Sequence, residues 1–221
     1  MNARSPHARQ RTDSNTERLA GNGVELVRER ALAADMQAAL ERVYLLDRIA
    51  DVSDFVRGAG DGQRESVLVR ESGDGSLEMS VQLPHLSDDA SLDGLCQIIE
   101  GVSHFVVLVE RAQSSRRTTQ LELEVQAEVD KWLLLAGAMS RFDVARSAAL
   151  RERLYERVTF AHDAQSEDGE RYRVANDTAH GFVRRLERRY VGRARFAEMR
   201  ADLRRFFHGG QEEKLRLART G

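Results

Sequence analysis

Apolar positions recur every three to five residues along most of the chain, which is the spacing of amphipathic helices. The first such run extends from Val24 to Phe55 and predicts one long helix or two shorter ones. It stops at three glycines within residues 58 to 62, which interrupt the pattern. Residues 1–23 have almost no apolar side chains and no period, so we expect a disordered tail there.

A period of two marks residues 66–83 as β-structure. Every second residue from Leu77 to Leu83 is apolar, as in a strand with one buried face. The run SVLVR at residues 66–70 precedes it, and the intervening Asp74-Gly75 suits a tight turn. We therefore predict a β-hairpin over residues 66–83.

Residues 104–110 fit two structures. They continue the apolar stripe of a helix that the pattern predicts from Leu92, but three closely spaced valines after Gly101 are typical of a buried strand. A hairpin alone is only marginally stable, and a third strand would support it. We predict that strand over residues 104–110, and the continued helix is the alternative.

The rest of the chain is helical by pattern. Thr119 and Glu122 form a capping box that opens a helix, and three further apolar stripes follow after residue 143. The expected fold class is therefore α+β and predominantly helical, with a small antiparallel sheet packed by amphipathic helices. We expect an α+β core over residues 24–143 and a helical region over residues 144–221, packed on the core as one domain.

Composition excludes several classes of protein. Among 221 residues, 32% are charged and a single cysteine, Cys96, is present, so an intrachain disulfide framework and a cysteine-rich zinc site are excluded. The apolar runs are too short for a membrane span, and the N-terminus lacks the apolar core of a secretory signal. We expect a cytoplasmic protein with no membrane partner.

Charge is segregated along the chain. The formal net charge is -2, but residues 51–150 hold 9 basic and 17 acidic side chains, and residues 151–221 hold 17 and 12. An acidic middle and a basic end can neutralise each other within one fold, pair across an oligomer, or face different partners. The densest basic segment, residues 184–205, has nine arginines and three acids.

The sequence contains no complete motif for a phosphate-binding loop or for a catalytic serine or cysteine. The GAGDGQ segment follows a helix and lacks the last glycine of a dinucleotide-binding loop, and Phe105 replaces the second glycine of a nucleophile elbow around Ser103. Cys96 lies in an apolar helical stretch, where a buried small hydrophobe is the expected role.

The strongest polar constellation combines carboxylates with one imidazole. Glu100 and His104 lie one helical turn apart if the helix continues, and Glu124 and Glu128 do the same on the next helix. Such a set of carboxylate and imidazole ligands suits iron, manganese or zinc. The alternative is that these carboxylates form structural ion pairs with Lys131 or with arginines of the C-terminal helices. We expect such ion pairs rather than a divalent metal, and we expect no cofactor.

Three functional hypotheses follow. The leading one is a non-enzymatic interaction or scaffold protein that binds an acidic protein partner, or itself, through an arginine-rich helical surface. The second is an enzyme with a carboxylate-histidine pocket, with or without a metal, whose candidate catalytic or ligating residues are Glu100, His104, Glu124 and Glu128. The third is a nucleic-acid-binding protein that uses residues 184–205. The partner-binding residues predicted for the first are Arg184, Arg185, Arg188, Arg189, Arg193 and Arg195.

Overall fold

The structure is a computed structural model that describes residues 26–47, 49–60, 62–71, 77–87, 91–160 and 162–219. Of these described residues 67% are helical, and they form seven α-helices and a small three-stranded mixed sheet. The prediction of a predominantly helical α+β fold is therefore confirmed. The predicted tail over residues 1–23 and the predicted turn at Asp74-Gly75 lie outside the described residues.

The elements follow one another in a simple order. A 3-10 turn at Val52–Asp54 precedes the first strand, a π-helical turn at Glu152–Glu156 continues the helix Val144–Arg151, and a second 3-10 turn at Val191–Arg193 follows the helix Glu167–Arg189. The helices and strands are α1 (Val27–Tyr44), β1 (Val56–Gly58), β2 (Ser66–Glu71), β3 (Leu77–Leu83), α2 (Leu92–Gln113), α3 (Gln120–Gly137), α4 (Val144–Arg151), α5 (Glu167–Arg189), α6 (Phe196–His208) and α7 (Gln211–Arg219).

The sheet has the strand order β1-β3-β2. β2 and β3 pair antiparallel with Val67 opposite Val81, as the predicted hairpin requires. β1 pairs parallel with β3 and places Val56 beside Val81 on the other side. The sheet is therefore mixed rather than wholly antiparallel. Its third strand, β1, directly follows the first apolar run, in a segment for which the sequence analysis predicted no strand.

The predicted strand over residues 104–110 is wrong, because α2 continues without a break to Gln113. Val102, Phe105 and Val106 are completely buried within the core. Their burial on a helix that packs against the sheet, α1 and α3 outweighs the modest preference of valine for strands. By length and composition α2 could also cross a membrane, yet 56% of its most apolar window is buried inside the fold, as in a core helix.

α2 and α3 form the centre of the molecule, with α5 packed on α3 and α7 packed on α5. The sheet lies against α2 at Gly101, where a Cβ atom would come within 2.8 Å of Leu83 Cδ2. The absence of a side chain at this position lets β3 approach the helix closely. This contact fixes the segment before β2 beside the middle of α2.

A buried polar network ties α7 to the core. The Asp130 carboxylate accepts hydrogen bonds from the Tyr44 hydroxyl, from Ser103 Oγ at 2.6 Å and from Gln126 Nε2 at 2.9 Å. Lys214 of α7 donates to Gln126 Oε1 at 2.5 Å. Burial raises the pKa of Asp130 to about 6 and lowers the pKa of Lys214 to about 7. The C-terminal helix is thus held by an internal amine.

Candidate active site

α2 and α3 bring three of the four candidate site residues together. Glu100 and His104 lie one turn apart on α2, and Glu124 faces them from α3. The His104 Nε2 atom is 3.8 Å from Glu124 Oε2, and potential ligand atoms of all three residues lie within 4.8 Å of one another. The helical spacing that the sequence suggested therefore produces a compact carboxylate-imidazole cluster, which we call the Glu-His-Glu cluster.

Glu128, the fourth candidate, belongs to an ion pair beside this cluster. Lys131 Nζ lies 2.8 Å from Glu100 Oε2 and 2.7 Å from Glu128 Oε1. The structural pairing that the sequence analysis weighed against a metal is thus present for Glu100 and Glu128. It reaches Glu124 only through a long contact, in which Arg171 Nε of α5 lies 4.0 Å from Glu124 Oε1.

Glu65 is a site residue that the sequence analysis missed. It precedes β2 and its side chain is only 6% exposed. Its carboxyl group shares a hydrogen bond with Glu100, and Arg64 Nε lies 3.8 Å away. A single glutamate before a strand belongs to no periodic pattern, so the sequence does not indicate that Glu65 lies beside α2. Strand pairing and the close approach at Gly101 place it there.

The cluster contains groups whose protonation is shifted strongly. Burial, reinforced by the charge of Glu100, raises the pKa of both Glu65 and Glu124 to about 8. Burial would also raise the pKa of Glu100, but Lys131 and His104 outweigh it and lower that pKa to about 2. Burial lowers the pKa of His104. At neutral pH, Glu100 and Lys131 are charged, the imidazole is neutral, and Glu65 and Glu124 largely retain protons.

Two buried polar atoms at the cluster have no hydrogen-bond partner among the described residues. One is Nε2 of His104, and the other is Oε2 of Glu65. Buried polar atoms are nearly always paired in folded proteins, and an unpaired one costs about 1–3 kcal/mol. The cluster therefore offers a neutral nitrogen with unused bonding capacity, and the neighbouring Glu65 offers one carboxyl oxygen.

A cavity of about 1030 Å³ opens beside the cluster. Glu65, Glu100, Glu128 and Lys131 line one part of it, and Tyr172 of α5 lines another. His104 and Glu124 are not among the lining residues. Glu100 therefore belongs to both features and connects the buried cluster to the open space.

The other candidate nucleophiles are unsuited to attack a ligand in this cavity. Cys96 lines it, but burial raises the pKa of the thiol to about 11, so the thiolate is scarce at neutral pH. The Ser103 hydroxyl is buried and donates to Asp130. Glu122, also part of the acidic run, closes the capping box with Thr119.

The predicted arginine surface is largely exposed. Arg185 is the exception, because it is 3% exposed and its Nη2 lies 2.8 Å from Asp202 Oδ2 inside the fold, so it lies outside that surface. Arg195 also pairs with Glu198 at 2.9 Å. The exposed members of the predicted set are Arg184, Arg188, Arg189, Arg193 and Arg195.

Comparison of the chain with protein-family models, with curated proteins and with solved structures finds no match. The chemical interpretation therefore depends on the geometry. One imidazole and two carboxylates form a ligand set for manganese, iron or zinc, and three protein ligands leave coordination positions for water or substrate. The small spread of the ligand atoms fits one ion after modest side-chain adjustment.

Proposed function

We propose that the protein is an enzyme that binds one divalent cation at Glu100, His104 and Glu124 and acts on a small molecule in the adjoining cavity. The observation that carries this proposal is the convergence of these three side chains, with His104 Nε2 buried and without a hydrogen bond. Of the hypotheses drawn from the sequence, this is the enzymatic one.

Internal ion pairing alone leaves part of the cluster unexplained. Lys131 neutralises Glu100 and Glu128, but its amine has no close contact with Glu124 or with the imidazole. A cation held between Glu100, His104 and Glu124 would use the unpaired nitrogen and offset the accumulation of carboxylates. It would also stand next to the cavity, because Glu100 lines it.

The residues of the chain have distinct roles in such a site. A bound divalent cation would supply Lewis acidity and lower the pKa of a coordinated water. Lys131 holds Glu100 in place through its 2.8 Å ion pair. Glu65 lines the cavity next to Glu100, where its carboxyl group can exchange a proton with a bound molecule.

The test uses Mn²⁺ and an isosteric variant, Glu124→Gln. Since Glu124 largely keeps its proton at neutral pH, the amide replaces one neutral group by another, and the free energy of unfolding should change by less than about 1 kcal/mol. Mn²⁺ at 100 times its Kd should stabilise the wild-type protein by about 2.7 kcal/mol. Titration calorimetry should show Mn²⁺ affinity at least about 10-fold weaker in Glu124→Gln.

Glu110→Gln is the matched control, because Glu110 is a partly buried carboxylate on the same helix α2 but outside the cluster. It should bind Mn²⁺ like the wild-type protein. Equal affinities of the wild type and Glu124→Gln, or no saturable binding of Mn²⁺, Fe²⁺ or Zn²⁺ to the wild type, would overturn the proposal.

The exposure of five arginines supports a second function, the binding of an acidic protein partner or of another copy of this chain. Charge reversal at Arg188 should weaken such an assembly, because exposed interfacial charges act through complementarity. Light scattering of the wild type and of Arg188→Glu measures the size of the assembly. A monomeric wild type that retains no acidic protein in a pull-down would rule out this second function.

A further inference from the structure

We propose that the cavity binds a small molecule that carries both a phosphate group and a planar ring, such as a nucleoside monophosphate. The inference rests on the proposed function, because it places the phosphate between the bound cation and arginines of the cavity rim. The cavity, at about 1030 Å³, is at the upper end of the range typical of sites for small molecules.

The rim carries guanidinium groups that can meet a phosphate. Arg64, Arg153 and Arg157 all line the cavity. Arg153 is exposed, and no described residue forms an ion pair with it. Arginine binds phosphate oxygens through its planar fork, with two parallel hydrogen bonds in the best geometry. Arg153 is therefore the residue that a phosphate would engage with least competition.

An irregular helical turn carries Arg153, and Arg157 follows it directly. Residues 152–156 form a π-helical turn, in which the Arg157 amide donates to the Glu152 carbonyl at 3.0 Å. Such turns are rare and occur frequently at functional sites. Glu152, Arg153 and Leu154 of this turn all line the cavity, so the irregularity lies at its wall.

Charge explains why phosphate binding requires the cation. Five carboxyl groups and four cationic side chains line the cavity, and with Glu65 protonated the remaining charges cancel, so the protein alone has no net attraction for an anion. A divalent ion ligated by Glu100 would make the net charge positive. In phosphoryl-transfer sites a metal ion commonly lies on one side of the phosphate and the guanidinium group of an arginine on the other. The lining carboxylates are Glu65, Asp93, Glu100, Glu128 and Glu152, and the lining cations are Arg64, Lys131, Arg153 and Arg157.

Aromatic side chains supply a surface for a flat ring. His162 stacks on Tyr172 with ring centroids 5.0 Å apart and an interplanar angle of 4°, and both rings line the cavity. His162 is exposed, so a planar ligand can extend this stack on its outer face. Stacking on aromatic rings is tolerant of the identity of the base. The cavity therefore combines contacts for an anion with contacts for a ring.

The experiment compares adenosine 5′-monophosphate, adenosine and inorganic phosphate by titration calorimetry, each with and without saturating Mn²⁺, on the full chain. The monophosphate should bind most tightly and only with Mn²⁺. Arg153→Gln should weaken the monophosphate and inorganic phosphate about 10-fold and leave adenosine unchanged. His162→Ala should weaken the monophosphate and adenosine but not inorganic phosphate. Arg117→Gln, at an exposed arginine outside the cavity, should change none of the three affinities.

The outcomes separate this inference from the proposed function. If Mn²⁺ binds and no phosphate compound does, the inference is wrong and the metal site stands. If the monophosphate binds equally to the wild type and to Arg153→Gln, the assigned position of the phosphate is wrong. If Mn²⁺ does not bind at all, both the proposed function and the inference are overturned.

Discussion

Replacement of Lys131 by methionine tests how the molecule keeps a set of carboxylates in its interior. Lys131 is 8% exposed, and its amine lies within 2.8 Å of both Glu100 and Glu128. Methionine keeps much of the apolar stem and removes only the charge and its hydrogen bonds. The variant therefore leaves two buried carboxylates without their common counterion, and the protein should become less stable.

The expected loss follows from two limits. Removal of one partner of a buried ion pair costs about 3–5 kcal/mol. A carboxylate can also escape by taking up a proton, and between an ordinary pKa near 4.5 and pH 7 this costs about 3.4 kcal/mol. We therefore expect Lys131→Met to lower the free energy of unfolding by about 3–5 kcal/mol at pH 7, which corresponds to a Tm lower by about 6–20 °C.

Urea unfolding followed by circular dichroism measures this loss at pH 7 and at pH 5. The carboxylates of the variant have raised pKa values in the folded state, so the penalty should shrink as the pH falls toward 5. The double variant Glu128→Gln with Lys131→Met should recover at least about 1 kcal/mol, because one charge has been removed. A loss below about 1 kcal/mol at pH 7, or no recovery in the double variant, would refute the reasoning.

Three further predictions concern folding elsewhere. Gly101→Ala places a Cβ 2.8 Å from Leu83 Cδ2 and should cost about 1–3 kcal/mol in chemical denaturation; a neutral effect would show that the sheet can shift away from α2. Thr119→Ala removes the hydroxyl that accepts from the Glu122 amide and should cost about 1 kcal/mol, unless that cap is redundant, in which case the melting curve will not move. Burial lowers the pKa of Lys214 to about 7, so between pH 7 and about 10.5 the unfolded chain binds one more proton at this residue than the folded chain does. The free energy of unfolding of the wild type should therefore rise with pH in this range, by up to about 1.4 kcal/mol per pH unit. Urea titrations should show a weaker dependence of stability on pH for Lys214→Met, and an equal dependence in both proteins would contradict the lowered pKa of Lys214.

The helical framework is predictable from sequence because local patterns determine much of it. The capping box at Thr119 and the apolar period of α3 specify a helix without reference to the rest of the chain. Local pattern does not determine whether residues 104–110 form a helix or a strand, since valine-rich segments are buried in both. The helix is selected by packing against elements that are distant in the sequence. β1 is three residues long, too short for an alternating pattern to show.

The candidate site was predictable to the extent that it follows the helical period. Glu100 and His104 share a face because of their spacing, and the same holds for Glu124 and Glu128. The distance between the two helices, and therefore the ion pair of Lys131 with Glu100, depends on helix packing, whereas the pair of Lys131 with Glu128 is a local contact within α3. Glu65 could not be found in this way, because a parallel and an antiparallel strand pairing and one glycine contact bring it to the cluster.

The chain contains only two lysines among its 34 cationic residues, and both are internal, with exposures of 8% for Lys131 and 2% for Lys214. The exposed cationic side chains of the described ranges are otherwise arginines and histidines, which reagents specific for primary amines do not modify. Acylation of Lys214 should therefore require the release of α7. Lys131 lines the cavity, so its acylation reports access to the cavity, and the two rates can be followed separately by peptide mass.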